Sequence, residues 1–387
     1  MGSIVVVGGG FAGFWAAVAA RRVAGPGHAI EMISASEQLQ VRPRLYEADP
    51  ARFGVALQPL LDVVDVDFRH GRVSEIDVVA RTVGLESADS ATFDRLVVAT
   101  GSRMTRPPIP GIDEAFSIDT LDEAVAFDEA LARACHDHPD GPVVAVVGAG
   151  FTGIELALEL RSRMDDHRDG SGGGARVVLV DRSAEVGAGL GSGPRPVIEA
   201  ALRDNRVELH LGVQLAELDG TELQFGDGST LDADLVVLTT GLRATDIVRQ
   251  LPGTFDDLGR VYVDEDLSLA EAPFVFAAGD AAAAHVGAGR LALQSCQHAL
   301  QNGRHAGENA ARSLLGSPLL PYSQERYVTC LDLGPSGAVL TEGWDRTVVS
   351  TGDEAHAVKR RINESVIYPP DTLDPDELLA ASVLDWR

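Results

Sequence analysis

The chain has 387 residues, 45% of them hydrophobic, with 41 glycines and a formal net charge of -26. That length admits two or three domains with cores of their own, and that charge repels nucleic acid and anionic lipid headgroups alike. Three scattered cysteines, Cys135, Cys296 and Cys330, have no CxxC spacing, which argues against a disulfide scaffold and fits a reducing cytoplasm.

The first element is the strand of "SIVVVGGGFAG", which begins almost at the N-terminus with no basic segment before it and no cleavage site after it, so no signal peptide is expected. Nor does any run of about 18 apolar residues occur that could span a membrane. A soluble, cytoplasmic protein is expected. The loop after the strand carries Gly8, Gly10 and Gly13 around Phe11 and Ala12, and an alanine-rich helix follows. A strand, GxGxxG and a helix together suit a dinucleotide. The first glycine makes the tight turn, the second lets backbone approach a pyrophosphate, and the third lets helix pack on strand. The phosphates then rest on the free N–H groups of the helix start. An acid is expected about 20 residues later to hold the ribose. Here "AIEMISAS" puts Ser34 there, a weaker hydrogen-bonding group, with Glu31 and Glu37 as alternatives that also read as plain surface.

"RLVVATG" is a buried strand ending in Ala99, Thr100 and Gly101. The turn-rich "RPPIPG" then leads into a second copy of the opening device, "VVAVVGAGFTGIE", with Gly148, Gly150 and Gly153 around Phe151 and Thr152. This copy has its acid. "ARVVLVD" ends in Asp181 after a "DGSGGG" loop that lengthens the spacing. A carboxylate there repels a 2′-phosphate and favours NADH, while the adjacent Arg182 keeps NADPH open. "DLVVLTTG" ends in Thr240 and Gly241 and matches the earlier Thr-Gly strand, each being preceded by Asp. The internal duplication therefore extends well beyond the glycines.

Downstream, "FVFAAGDAA" is a third apolar strand, over Phe274 to Ala282, with Gly279 and Asp280 at its end. Asp280 can accept from a ribityl hydroxyl, cap a following helix, or do both. "SCQHALQNG" reads as helix, with Gln297 and Gln301 on one side and His298 with Asn302 one step round, a neutral hydrogen-bonding face. The remainder, around "YVTCLDLGPSGAVLTEGW", has strand and turn grammar. Lys359, the sole lysine, heads a basic cluster with Arg360 and Arg361 that reads as a solvated helix face or an intersubunit contact. The histidines show no metal-ligand spacing, so no metal site is expected. The fold class is α/β, with two Rossmann-like domains, the second inserted in the first: residues 1–112 with 266–320, then 113–265. A small α+β piece, 321–387, closes the chain.

In this order, GGGFAG, RLYEA, ATG, GAGFTGIE, AAGD and CQHALQNG resemble the flavin-dependent pyridine-nucleotide oxidoreductases, over residues 1 to about 345. The nearest likeness is to the type II NADH:quinone oxidoreductases and their soluble bacterial relatives. The resemblance implies FAD on the first loop and on Asp280, and NADH on the second loop. It places Glu155 near the nicotinamide, although an acid in a helix's first turn also suits the helix dipole. It puts Pro43 and Leu45 beside the flavin ring; Arg42 and Arg44 read equally well as surface. It implies backbone N–H groups near the flavin from a helix after Asp280 and from Ala292 to Ser295. The implied reaction passes hydride from NADH to FAD and then electrons to a quinone-like small molecule at the Gln297/Gln301 face, which can equally be a brace. The final piece as a homodimer contact would suit the family.

Two departures are informative. "EQLQVRPRLYEADPARFG" holds no cysteine, which excludes a redox-active pair there, and the proline-rich, acidic tail lacks the sustained apolar face of a membrane anchor. Three other readings stand beside the quinone one: electron transfer to a ferredoxin-like protein, which the acidic surface disfavours; oxidation or reduction of a specialised aromatic metabolite; and an NADH-responsive binding protein.

Overall fold

The computed structural model describes residues 2–167 and 174–384. The "DGSGGG" loop, apart from Gly174, and the last three residues of the tail lie outside the described residues. The first sheet contains β1 (Ser3–Val7), followed by α1 (Phe11–Ala24), then β2 (Ala29–Ser34), β3 (Asp67–His70) and β4 (Arg95–Val98). The second contains β5 (Val143–Val147), followed by α2 (Phe151–His167), then β6 (Arg176–Asp181), β7 (Val207–Leu211) and β8 (Leu235–Leu238). The chain then returns to the first sheet with β9 (Ala272–Ala277).

Both central runs are Val- and Ile-rich and almost fully buried, as parallel strands covered on both faces require. The first sheet has the order β9-β4-β1-β2-β3, all parallel, with Ser268–Leu269 antiparallel at its edge. The second repeats this pattern as β8-β5-β6-β7, with Phe116–Ser117 parallel at its edge. In each, the chain leaves the first strand to one side and later returns on its other side. That reversal opens a crevice at the strands' C-terminal ends, where ligands of such sheets bind. The duplication reaches single bonds: Asp94 accepts from the Ser3 N–H at 2.8 Å, and Asp234 accepts from the Val143 N–H at 2.7 Å.

The two halves are joined by a short antiparallel ribbon, Ser102–Met104 against Leu242–Ala244. Its strands lie in matching segments, TGSRMT and TGLRAT. Thr245 Oγ1 donates to Thr100 Oγ1 at 2.7 Å, and Thr240 Oγ1 donates to the Thr105 carbonyl.

β9 is shorter than the sequence suggests. Gly279 adopts a φ of +65°, and the backbone turns into the short 3-10 segment Gly279–Ala281 rather than an α-helix. Asp280 therefore caps no α-helix, and the helix expected after it is replaced by a hairpin over His285–Leu291. Helix α3 (Cys296–Leu314) begins later, with the Ser295 hydroxyl accepting from the His298 N–H. It packs on α1 through glycines: a Cβ on Gly303 or Gly307 would lie 2.4 Å or 2.0 Å from the Ala12 or Ala16 carbonyl oxygen.

The final piece is an antiparallel sheet of β10 (Val328–Asp332), β11 (Ala338–Glu342) and β12 (Thr347–Thr351), as its turn grammar suggests. Helix α4 (Gly352–Arg361) runs on into one π-helical turn, Ile362–Val366. The tail helix α5 (Pro375–Ala381) lies against α1 and is held by Arg304, which stacks 3.9 Å over Trp15 and donates to the Ala381 carbonyl. Among the described residues, no helix is long and apolar enough to cross a membrane.

Candidate functional site

The two glycine loops do the same work. A Cβ on Gly8 would lie 2.2 Å from the Ala99 carbonyl oxygen, and one on Gly148 2.5 Å from that of Thr239. Their φ angles, +113° and +119°, also require glycine. A Cβ on Gly13 or Gly153 would meet the carbonyl oxygen of Gly8 or Gly148 at 1.8 Å. At Gly10 and Gly150 a Cβ would meet nothing within 4 Å. In a GxGxxG loop the second glycine is the position that suits close approach of a pyrophosphate, and here both second glycines face open space. No side chain caps α1 at Gly10, so its first N–H groups are free for an anion. The loops fit two dinucleotides. Phe11 and Ala12 are buried behind the first, while Phe151 is half-buried and Thr152 exposed at the second.

Ser34 and Asp181 hold equivalent places at the ends of β2 and β6. Ser34 is buried, its Oγ donating to the Ser36 carbonyl at 2.8 Å, and a Cβ on Gly9 would come within 2.5 Å of it. Asp181 accepts from the Ala149 N–H at 2.6 Å and from the Ser183 N–H at 2.7 Å. Each side chain thus leans on the middle of its glycine loop. Arg182 is exposed. Of the alternatives to Ser34, Glu31 is paired with Arg69 at 2.6 Å and Glu37 is exposed.

Asp280 sits at the end of β9, accepting from the Ser102 hydroxyl at 2.6 Å with Arg42 at 3.9 Å. Burial pushes its carboxyl up, against the opposing pull of Arg42 and Ser102. Asn302 accepts from the Gly279 N–H at 2.8 Å, tying α3 to the same corner. Gly101 and Gly241, with φ of +71° and +99°, turn the chain from Thr100 and Thr240 into the ribbon. Neither Arg42 nor Arg44 is a plain surface residue. Arg42 is bonded to Asp119 and Ser102, while Arg44 pairs with Glu47 at 2.6 Å and stacks 4.1 Å over Phe53. Between them Pro43 lies in the 3-10 turn Arg42–Arg44, with Leu45 buried behind it.

The largest correction concerns Lys359. It is not on a solvated face: Lys359 is 5% exposed and donates to Glu155 Oε1 at 2.7 Å. Arg360 and Arg361 are exposed. α4 presents Lys359 inward because it packs on β11 and β10. The ammonium lies between the rings of Phe151 and Tyr46, at 5.5 Å and 5.7 Å. Glu155 also accepts from the Asp332 N–H at 3.0 Å, and Tyr46 donates to the Asp332 carboxylate at 2.9 Å. Burial pushes the Glu155 carboxyl up to about 7 against the opposing effect of Lys359. The sequence reading missed Tyr46, Asp332 and Lys359. A lone lysine among arginines was the available signal.

On α3, Gln301 is buried and Gln297 half-buried. Gln297 Oε1 accepts from the Val328 N–H at 3.4 Å, so this glutamine is partly a brace for β10. His298 Nε2, Gln301 Nε2 and Asn302 Nδ2 are buried without a partner among the described residues. His298 is stacked 5.4 Å from Tyr327, its Nδ1 shares a hydrogen with Ser295 Oγ at 2.9 Å, and burial pushes it down to about 4. It is neutral at pH 7. A group bearing carbonyl oxygens, as a flavin does, fits these unmet nitrogens. Cys296, at the start of the helix, is held as a thiol, its pKa raised by burial to about 11.

The model of the pyridine nucleotide-disulphide oxidoreductase family matches residues 2–303. The chain is 41% identical over 397 residues to an NADH dehydrogenase-like protein of Mycobacterium tuberculosis (strain ATCC 25618 / H37Rv), covering 99% of this chain and 98% of the other. It is 27% identical over 354 residues to the demethylphylloquinone reductase of Synechocystis sp. (strain ATCC 27184 / PCC 6803 / Kazusa), covering 87% and 86%. Among solved structures, the sulfide:quinone oxidoreductase of Aquifex aeolicus superposes with a TM-score of 0.78 at 19% identity, over 98% of this chain and 93% of that one. The chain belongs to the pyridine nucleotide-disulphide oxidoreductase family, and is an NAD(P)H-dependent flavin oxidoreductase with FAD and NAD(P)H as its cofactors.

Proposed function

We propose that this enzyme oxidises NADH and reduces a quinone or quinone-like small molecule. In this reading residues 1–112 and 266–320 hold FAD through the first glycine loop, Ser34, Arg42 and Asp280. Residues 113–265 hold the nicotinamide nucleotide through the second loop and Asp181. Residues 321–387 close the site by delivering Lys359. When bound, FAD takes two electrons from the nicotinamide and passes them to the acceptor.

The observation that carries the acceptor class is the wall of α3. Its buried donor nitrogens, His298 Nε2, Gln301 Nε2 and Asn302 Nδ2, belong to neutral side chains and have no partner among the described residues. Donors of this kind suit the carbonyl oxygens of an uncharged acceptor and of the flavin. Asn302, bonded to Gly279, belongs to the flavin side, while Gln297 and Gln301 belong to the acceptor side. A quinone gaining two electrons also gains two protons, and NADH brings one hydrogen. Glu155 is a buried carboxyl poised to hold a proton near neutrality. The names of the Synechocystis relative and the Aquifex neighbour support a quinone-type acceptor.

Anaerobic stopped-flow separates the two half-reactions. Replacing Gln297 and Gln301 by Leu should slow flavin reoxidation by a soluble quinone and leave flavin reduction by NADH unchanged. Equal loss of both steps would overturn the assignment. A thermal melt checks that losing the Gln297–Val328 contact has not loosened β10.

A further inference from the structure

Behind the Asp280 corner and the start of α3 lies a buried arginine, Arg260, only 5% exposed. It ends the turn Asp256–Arg260, where Asp256 Oδ1 accepts from the Leu258 and Arg260 N–H groups at 3.0 Å and 2.9 Å. Asp256 Oδ2 accepts from Arg260 Nε at 2.7 Å, which fixes the direction in which the guanidinium leaves the turn. The following Val261–Tyr262 pairs in parallel with Ala282–Ala283, immediately after the 3-10 segment that holds Asp280. Arg260 Nη1 donates to the Ala292 carbonyl, and the Ala292 N–H donates to the Ala284 carbonyl at 2.8 Å. One guanidinium therefore ties the turn that carries Asp280 to the stretch Ala292–Ser295 that opens α3. Its Nη2 has no hydrogen-bond partner among the described residues.

The charge of this guanidinium reaches both walls of the crevice. With Arg42 and Ser102 it draws the Asp280 carboxyl down, against the larger upward push of burial. It also adds to the burial that pushes His298 down to about 4. The same cation thus favours an ionised Asp280, suited to a ribityl hydroxyl, and a neutral His298, suited to a carbonyl oxygen. Asp256 engages the Nε edge and Ala292 an Nη edge, so the positive end of the pair is the one turned to the start of α3. Hydride arriving at a neutral flavin brings one negative charge into this crevice, and a fixed, permanent cation stabilises it without reorganising.

We propose that Arg260 is a positioning residue for the flavin: it fixes the Ala292–Ser295 stretch and raises the flavin's reduction potential. This rests on the reading that places flavin between Asp280 and the wall of α3, and it is independent of the electron acceptor.

The test is anaerobic spectroelectrochemistry of the FAD-loaded protein. Arg260→Met should lower the reduced-to-oxidised flavin ratio at a fixed potential by about tenfold, a midpoint about 30 mV more negative for a two-electron couple. Arg260→Lys keeps the charge but loses the planar fork, and should stay within about threefold of the parent ratio. Asp256→Asn removes the opposing charge and should raise the ratio. All three variants loosen the turn, so all should lower the melting temperature. A brace alone would give Arg260→Met and Arg260→Lys the same potential, and that result overturns the proposal. So does a lowered ratio in Asp256→Asn, the deciding measurement where Arg260→Met fails to hold flavin. Asp280→Ala tests the flavin's placement on its own and should release flavin on desalting. Flavin retained undiminished would take the flavin out of this crevice, and the role of Arg260 with it.

Discussion

Lys359 Nζ donates to Glu155 Oε1 at 2.7 Å, with both side chains all but sealed from solvent. The contact joins helix α2, which follows the second glycine loop, to helix α4 across 204 residues of sequence. Removing one partner strands a charge in a medium that cannot solvate it, at a cost of about 3–5 kcal/mol, whereas removing both together can be nearly neutral. Glu155→Gln and Lys359→Met should each lower the denaturant midpoint, and the double variant should recover most of the loss. If the two losses simply add, the pair is not coupled.

The same carboxyl should leave a mark on stability against pH. Glu155 titrates near 7 in the folded chain against 4.5 for an ordinary glutamate. Between those values the folded state binds a proton that the unfolded state does not, so Glu155 adds stability as pH falls through 7. His298 acts in the opposite sense. Its folded value is about 4 against an ordinary 6.5, so the unfolded state takes up the proton first and stability drains as pH falls through that window. Unfolding free energies from pH 7.5 to 4.5 should show the opposition. Glu155→Gln should steepen the acid loss, and His298→Gln should flatten it. Identical profiles for both variants would show that neither group titrates as its surroundings demand.

Much of this was legible in the sequence because it is local. GxGxxG between a β-branched strand and an alanine-rich helix fixes a turn, a helix start and an open backbone face within a few residues, and the chain writes this twice. The turn-rich β10–β11 region is local in the same sense. Lys359 was misread because its identity as a buried partner depends on Glu155, Tyr46 and Phe151, each far away in the chain. Within α4 alone, Lys-Arg-Arg after "GDEAHAV" looks like a helix end placed for its dipole. The short turn at Asp280 was missed for a related reason. An apolar strand followed by Gly-Asp and alanines suits a helix start, and only the positive φ at Gly279 sends the backbone elsewhere.

The packing of α1 on α3 sets the sign of a substitution that propensity alone would get wrong. In an exposed helix, Gly→Ala stabilises by about 1 kcal/mol. At Gly307 the added Cβ would lie 2.0 Å from the Ala16 carbonyl oxygen, and that neighbour is backbone that cannot rotate away. The helices must part, and overpacking of this kind costs about 1–3 kcal/mol or more. Gly307→Ala should therefore lower the melting temperature, as should Gly303→Ala. A rise in either would mean that the two helices are not in contact at these glycines.

The first glycine loop separates folding from cofactor binding at two positions three residues apart. At Gly13 a Cβ would collide with the Gly8 carbonyl oxygen at 1.8 Å, so Gly13→Ala must displace α1 from β1 and destabilise the chain with or without cofactor. At Gly10 the backbone is ordinary, with φ of -80°, and a Cβ meets no protein atom within 4 Å. Gly10→Ala should leave the flavin-free protein as stable as the parent. It should nonetheless weaken FAD retention, because the methyl group occupies the face along which the pyrophosphate approaches. Flavin absorbance per chain and the melting temperature of the flavin-stripped protein, read side by side, check this. Undiminished flavin in Gly10→Ala would remove the first loop from the FAD site, since no protein contact stands in for the missing penalty.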